Sequence, residues 1–375
     1  MRTQTRKHRS ALLLISTLLV AAVAQGDDGH PIQLARASDP VDAREALRPT
    51  FDTARQEPAT GSWSFTLDND ALVPVNRDQD YTYGLSVAAT GTRARDFLLS
   101  LDTPLSWIDR ALGVDGIGSS SVHGHGFEAG LFGFTPEDKS ASEPLYDDRP
   151  YASLLYASSS RVQVNPHNRV AWHSTLTVGV LGLDLAGDLQ NGFHQMIGSN
   201  RAEGWEHQIS QGGEPTARYS VARQKTLAIS SDNLEVKSTV EGSLGYITEA
   251  RWSLSFRAGQ LGTPWWQSTP ELTRYGERNN AQPLRDRSEH YLFGGISLVG
   301  RGYNAFLQGQ FRDSEVTYDQ DEVNHAIAEA WLGYTWGFGN GYRLSYVLRG
   351  HTSELRDGDG DRDVLWGGLV FSRSF

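Results

Sequence analysis

Residues 363–375 read DVLWGGLVFSRSF. Leu365, Leu369, Phe371 and Phe375 fall at even intervals, and the last of them is the final residue of the sequence. Alternation with a period of two belongs to a strand with one apolar and one polar face. A terminal amphipathic strand closing on an aromatic residue resembles the signal that outer-membrane assembly machinery reads. The competing reading is a soluble β-sandwich whose last strand happens to end in Phe.

Upstream, the same pattern recurs. Trp63, Phe65 and Leu67 share a face, as do Tyr81, Tyr83, Leu85, Val87 and Ala89. So do Val170, Trp172, Leu176, Val178 and Val180, then Trp252, Leu254 and Phe256, and then Tyr342, Leu344, Tyr346 and Leu348. Aromatic residues gather at strand ends, at Trp63, Tyr81 and Tyr151, which fits interfacial girdles better than one packed core. Strands are expected near 62–69, 80–91, 124–134, 151–164, 168–182, 215–229, 233–243, 247–258, 289–309, 326–337, 341–352 and 363–375. Taking 289–309 as one long strand gives twelve, the even number that bacterial barrels require. The fold class is therefore all-β, a transmembrane antiparallel β-barrel.

The other end of the sequence agrees. Arg2, Arg6, Lys7 and Arg9 precede an apolar run at 11–24 that closes on Ala22-Val23-Ala24. This is the plan of a secretory signal peptide. An uncleaved anchor is disfavoured, because a spanning helix needs about 20 apolar residues. The expected organisation is a signal peptide at 1–24, a polar leader at 25–60 carrying Pro31, Pro40, Pro49 and Pro58, and the barrel at 61–375. The net charge of -11 argues against a nucleic-acid partner. The absence of cysteine suits an oxidising compartment.

With both termini on the periplasmic side, odd strands run outward and even strands inward. Short turns at Ser230-Ser231-Asp232 and Gly339-Asn340-Gly341 then fall on the periplasmic side. Two connectors there, 92–123 and 259–288, are too long for that rule. The first carries a helical pattern in Phe97, Leu98, Leu101, Leu105 and Ile108, and reads as a periplasmic helical insertion.

Three polar clusters fall at the outer rim. One is Asp68-Asn69-Asp70 with Asp78-Gln79-Asp80-Tyr81-Thr82-Tyr83-Gly84; another is Asp147-Asp148-Arg149-Pro150-Tyr151-Ala152. The third runs from Phe193-His194 to Gly198, followed by Gly204-Trp205-Glu206-His207-Gln208. Leu185, Leu189, Phe193 and Ile197 recur every four residues and predict a short extracellular helix bearing His194. A neutral His can take a proton from water. Carboxylates and carbonyls suit a hard cation such as calcium, which can polarise an ester carbonyl. Asn and Thr side chains can hydrogen-bond the developing oxyanion. Each feature also has a bland reading. Asp-Asn-Asp is common turn chemistry, Thr82 is a β-former, and Asp148-Arg149-Pro150-Tyr151 reads as a brace. The run Asp357 to Asp363 reads as a solvated hairpin tip.

At these residues the chain resembles the outer-membrane lipid A 3′-O-deacylase family. The matching pieces are Asn69-Asp70, Asp80-Tyr81-Thr82-x-Gly84, Asp147-Asp148-Arg149-Pro150-Tyr151-Ala152, His194-x-x-Ile197-Gly198, Trp205-x-x-Gln208 and the aromatic last strand. They occur in order over 62–375. The resemblance implies a twelve-stranded barrel with a calcium-dependent esterase site at the outer rim, acting on lipid A as a monomer. It implies His194 as general base, Asn69 and Thr82 near the oxyanion, and Asp70 at the metal. Characterised members carry a Glu six residues after the His. Here that position is Asn200, a departure at the metal site. Asp148, Arg149, Tyr151, Trp205 and Gln208 would support the site. Two other readings are a passive channel or structural barrel, and a different rim enzyme such as a protease or acyltransferase.

Overall fold

The computed structural model describes residues 57–74, 80–114, 121–165, 168–197, 201–277, 288–338 and 340–375. The signal peptide and all but the last four residues of the leader lie outside the described residues.

Twelve strands form one closed antiparallel barrel. They are β1 (Ser62–Asn69), β2 (Asp80–Thr90), β3 (Ser121–Thr135), β4 (Ala152–Asn165), β5 (Val170–Leu181) and β6 (Glu214–Thr226). The circuit continues with β7 (Leu234–Gly245), β8 (Ile247–Gln260), β9 (His290–Asn304), β10 (Ala326–Gly337), β11 (Tyr342–His351) and β12 (Val364–Ser374). Closure comes from β1 on β12, in register from Ser62↔Ser374 to Asn69↔Gly367. Alternation sets the faces. Phe65, Val87, Val240, Leu298 and Phe371 point outward and stay exposed, as a lipid-facing belt must. Glu241, Glu249, Arg251, Arg257, Glu329 and Arg349 point into the lumen and are buried there.

The charged lumen is stabilised by pairing. Arg301 bridges Glu249 and Glu354, Arg251 and Arg349 meet Glu329, and Arg257 makes a two-point contact with Glu235 at 2.8 and 2.7 Å. Breaking such a buried pair leaves an uncompensated charge, which is why lumen charges come in networks.

The long connectors go where the sequence does not foretell. The segment after β8 rises inside the barrel. Trp265 and Trp266 pack on Val162, Val164 and Ala171 of the inner wall. Glu271 accepts from Gln224 at 2.7 Å and Thr239 at 3.0 Å, and Arg274 pairs with Glu241 and Glu249. The segment ends near the outer mouth, where Tyr275 joins Tyr81, Phe132, Phe134, Phe306 and Trp366 in an aromatic cluster across the lumen. Below it, a cavity of about 200 Å³ opens among Ser64, Thr90, Thr269, Arg343 and Ser345.

The expected helix in 92–123 is present as α1 (Asp102–Ala111). It lies against the outer flank of the wall, on outward-facing residues of β4, β5 and β6. The long strand expected over 289–309 is corrected. β9 stops at Asn304, whose side chain accepts from the Phe306 amide at 3.1 Å and starts a helical turn, Ala305–Gln308. That turn carries Phe306 inward to complete the aromatic cluster.

Candidate active site at the outer rim

β1 ends at Asn69, whose side chain does two jobs. Its Nδ2 donates to the Thr82 carbonyl at 2.6 Å, and its Oδ1 accepts from the Ala71 amide at 2.7 Å. This caps a 3-10 turn, Asp70–Leu72, and buries Asp70 completely. Across the rim, β2 begins on a β-bulge. The β2–β3 register jumps between Tyr81 and Tyr83, leaving Thr82 as the extra residue. Bulges re-aim side chains where pairing would otherwise dictate their direction. Thr82 Oγ1 meets Thr135 Oγ1 at 2.6 Å. The bulge follows Asp80, a non-glycine residue at φ 70°. Arg362 holds Asp80 there through contacts of 2.8 and 3.1 Å.

The expected extracellular helix is α2 (Leu185–Ile197). Of the expected apolar stripe, Leu185 is exposed. Small and polar positions of the helix make the described contacts. Ala186 is buried with Leu131, Tyr151, Ala202 and Trp205, and Tyr83 packs on this cluster. A Cβ on Gly187 would come within 2.8 Å of the Trp205 ring. Trp205 Nε1 donates to Gln190 at 2.7 Å. Asn191 closes two bonds with the Ala202 main chain, at 3.0 and 2.8 Å. Leu131 and Tyr83 lie on the outward face of the wall, so α2 sits outside the barrel, beside the belt. His194 is on this helix, one turn beyond Gln190 and two beyond Gly187. The side chains of His194, Leu189, Phe193 and Ile197, and all of Asn200, lie outside the described residues.

The remaining site residues divide between two faces of the wall. Tyr151, Trp205 and Gln208 secure α2 from outside. Tyr151 packs on Trp205 at 5.0 Å and donates to the Lys139 carbonyl, while Gln208 accepts from Ser153 at 3.0 Å. Asp148 and Arg149 turn to the inner side. Asp148 accepts from Arg362 at 2.6 Å and from the Arg149 and Glu137 amides. Arg149 pairs with Glu354 and lies 4.8 Å over the Phe134 ring. These two form a brace on the inner side. Burial pushes the Glu354 carboxyl up, but Arg149 and Arg301 outweigh it and hold it well below the usual range. The run 357–363 is tied in as well, through Arg362 and through Gly360 N donating to Asp147 O at 3.0 Å.

Over residues 15–375 the sequence matches the family model described as "Outer membrane protein LpxR". The chain belongs to the LpxR family. LpxR from Salmonella typhimurium shares the fold, with a TM-score of 0.66, 18% identity, 84% of this chain and 100% of that chain covered. Weaker likenesses include the KdgM porin (TM-score 0.36, 5% identity, 84% and 99% covered). Another is the β domain of the Bordetella autotransporter BrkA (TM-score 0.39, 9% identity, 85% and 100% covered). No curated protein sequence matches the chain. Membership in this family places the barrel in the outer membrane. Among the described residues, Asn69 and Thr82 are in direct contact at the rim. Sequence reasoning missed Gln190 and Lys139. Tyr83 Oη, Gln190 Nε2 and Gln208 Nε2 are buried without hydrogen-bond partners among the described residues. Gln190 carries a sequence signal, one turn before His194 on the same helix; Lys139, in the loop after β3, carries none.

Proposed function

We propose that this protein is an outer-membrane esterase that removes 3′-linked acyl chains from lipid A, with His194 activating the attacking water. The observation that carries this reading is the place of α2. The His-bearing helix is fixed to the lipid-facing side of the wall at the outer rim, beside the Asn69–Thr82 contact. A lipid of the outer leaflet reaches such a site sideways, from within the membrane. A neutral His194 imidazole would take the proton from water as it attacks the ester carbonyl. The Asn69 amide and the Thr82 hydroxyl are the donors for the oxygen that gains charge.

Calcium belongs to this proposal as the ion that Asp70 and residue 200 would help to hold, supplying charge against the oxyanion. Such an ion takes roughly 6–8 oxygen ligands. Among the described residues no cluster of three or more His, Cys, Asp or Glu side chains forms a metal site. The described residues do not by themselves complete a calcium shell. The channel reading is less favoured, because the aromatic cluster and the segment 261–277 occupy the lumen.

Expression in a host with susceptible lipid A, followed by lipid A mass spectrometry, tests the proposal. The expected result is loss of 3′-linked acyl mass in the presence of calcium, abolished by His194→Ala. Unchanged lipid A with a correctly folded barrel would sink it.

A further inference from the structure

The connector between β2 and β3 emerges at the periplasmic end, yet α1 does not hang free below the barrel. Cross-strand pairing fixes which wall residues it touches. Phe127 pairs with Ser159, His125 with Arg161, and Arg161 with Ser174, all on the outward face that carries Leu155 and Val178. α1 covers this patch. The Leu101 amide donates to Ser159 Oγ at 2.8 Å. Asp109, fully buried, accepts from Ser174 Oγ at 2.7 Å and Tyr219 Oη at 2.9 Å and pairs with Arg161 at 3.3 Å. Asp102 adds a contact to Arg161 at 3.4 Å, and His125 is held by Glu57 at 2.7 Å. This is a patch of charge and hydroxyl beside the apolar outward positions Leu155, Leu176 and Val178. Bare, it would face lipid, where polar groups need partners from the protein.

The other side of the connector is apolar. Leu98 is 93% exposed, Trp107 63% and Leu112 61%, and Phe97 and Leu99 are exposed beside them. In the periplasm these five would form an apolar surface in water. Phe97 stacks at 4.9 Å on Phe127, an outward wall residue, so the patch runs into the belt without a break. Trp172, the outward residue next below Ser174 on β5, marks the girdle level.

We propose that α1 and the turn before it lie in the inner leaflet, with Leu98, Leu99, Trp107 and Leu112 among acyl chains and Asp109 latching the helix over the polar patch. The occupant of this surface is lipid. The helix thereby acts as an extra, non-strand element of the membrane face, of the interfacial amphipathic kind. This inference rests on the barrel alone and is independent of the reaction.

The absence of cysteine makes the test clean. Leu98→Cys and Leu112→Cys carry a nitroxide in the full barrel, reconstituted in phosphatidylethanolamine and phosphatidylglycerol vesicles. Collision with oxygen is compared with collision with a water-soluble nickel chelate. Leu298→Cys, in the belt, and Ser231→Cys, in the periplasmic turn, are the references. Both test labels are expected to match Leu298→Cys, with nickel accessibility lost. As a label-free check, quenching by brominated lipid should fall in Trp107→Phe. Labels that behave like Ser231→Cys, or unchanged quenching in Trp107→Phe, would overturn the inference and return the helix to the periplasm.

Discussion

Gly187 sets the distance between α2 and Trp205, and replacing it with Ala isolates that distance as a variable. An added Cβ would stand 2.8 Å from Trp205 Cγ, 3.0 Å from Cδ1 and 3.1 Å from Cβ. Ordinary contact begins near 3.4 Å, so the helix must retreat by roughly 0.6 Å. Trp205 cannot yield easily, being packed on Tyr151 and hydrogen-bonded to Gln190. The helix itself would gain, since Ala is better than Gly in a helix interior by about 0.5–1 kcal/mol. Helix stability and site geometry therefore move in opposite directions. Misplacement of about 1 Å can cost on the order of 100-fold in rate, and Gly187→Ala is expected to lose about 10- to 100-fold in lipid A deacylation. Gly192→Ala is the control. It lies on the same helix with nothing within 4 Å of its added Cβ, so it gains helix propensity without displacement. Deacylation is followed by mass spectrometry over time, with heat-modifiable gel migration as the check on folding. Full activity in Gly187→Ala, or an equal loss in Gly192→Ala, would refute the reasoning.

Two further outcomes follow from the rim. Glu354→Gln removes the charge shared by the buried Arg149 and Arg301, and should lower barrel stability by about 3 kcal/mol or more. Urea unfolding read by gel migration checks this; an unchanged transition would count against the brace. His207 faces two acceptors, Glu315 at 2.6 Å and the Ser142 carbonyl at 2.9 Å, and only an imidazolium donates to both. Burial opposes its protonation, but Glu315 and Ser142 outweigh burial and raise its pKa above the ordinary value. The stabilisation is then complete below a pH of about 6.5 and is lost as pH climbs through the raised folded value. Amide protection factors in the 309–325 loop, corrected for the intrinsic pH dependence of exchange, should fall over that window and become independent of pH in His207→Ala.

Most of the wall is legible residue by residue, because side-chain direction in a regular strand follows parity; Tyr81 departs, turned by the bulge at Thr82 from the face of Tyr83 into the lumen cluster. Leu365, Leu369, Phe371 and Phe375 declare their face without reference to anything distant. The same holds for the strand count and for the rim position of Asn69, Thr82 and His194, which follow from counting strands through the membrane. The expected span of α2 is equally local. Its docking contacts are not, since Gly187 and Gln190 meet Trp205, which comes from a different segment.

The connectors show the limit most plainly. Nothing near Tyr275 in sequence says that it will join Tyr81, Phe134 and Trp366, or that Arg274 will answer Glu241 and Glu249. Nor does Asp109, an acidic residue near a helix end, announce that it will be buried against Ser174 and Tyr219. Burial of polar side chains is decided by partners far along the chain, and only closure of the sheet sets those partners opposite one another. Sequence alone thus determined the barrel, its polarity and which residues reach the outer rim. Tertiary structure alone decided what fills the lumen, what each helix docks on, and which of the rim residues brace the inner side of the wall rather than secure α2 outside it.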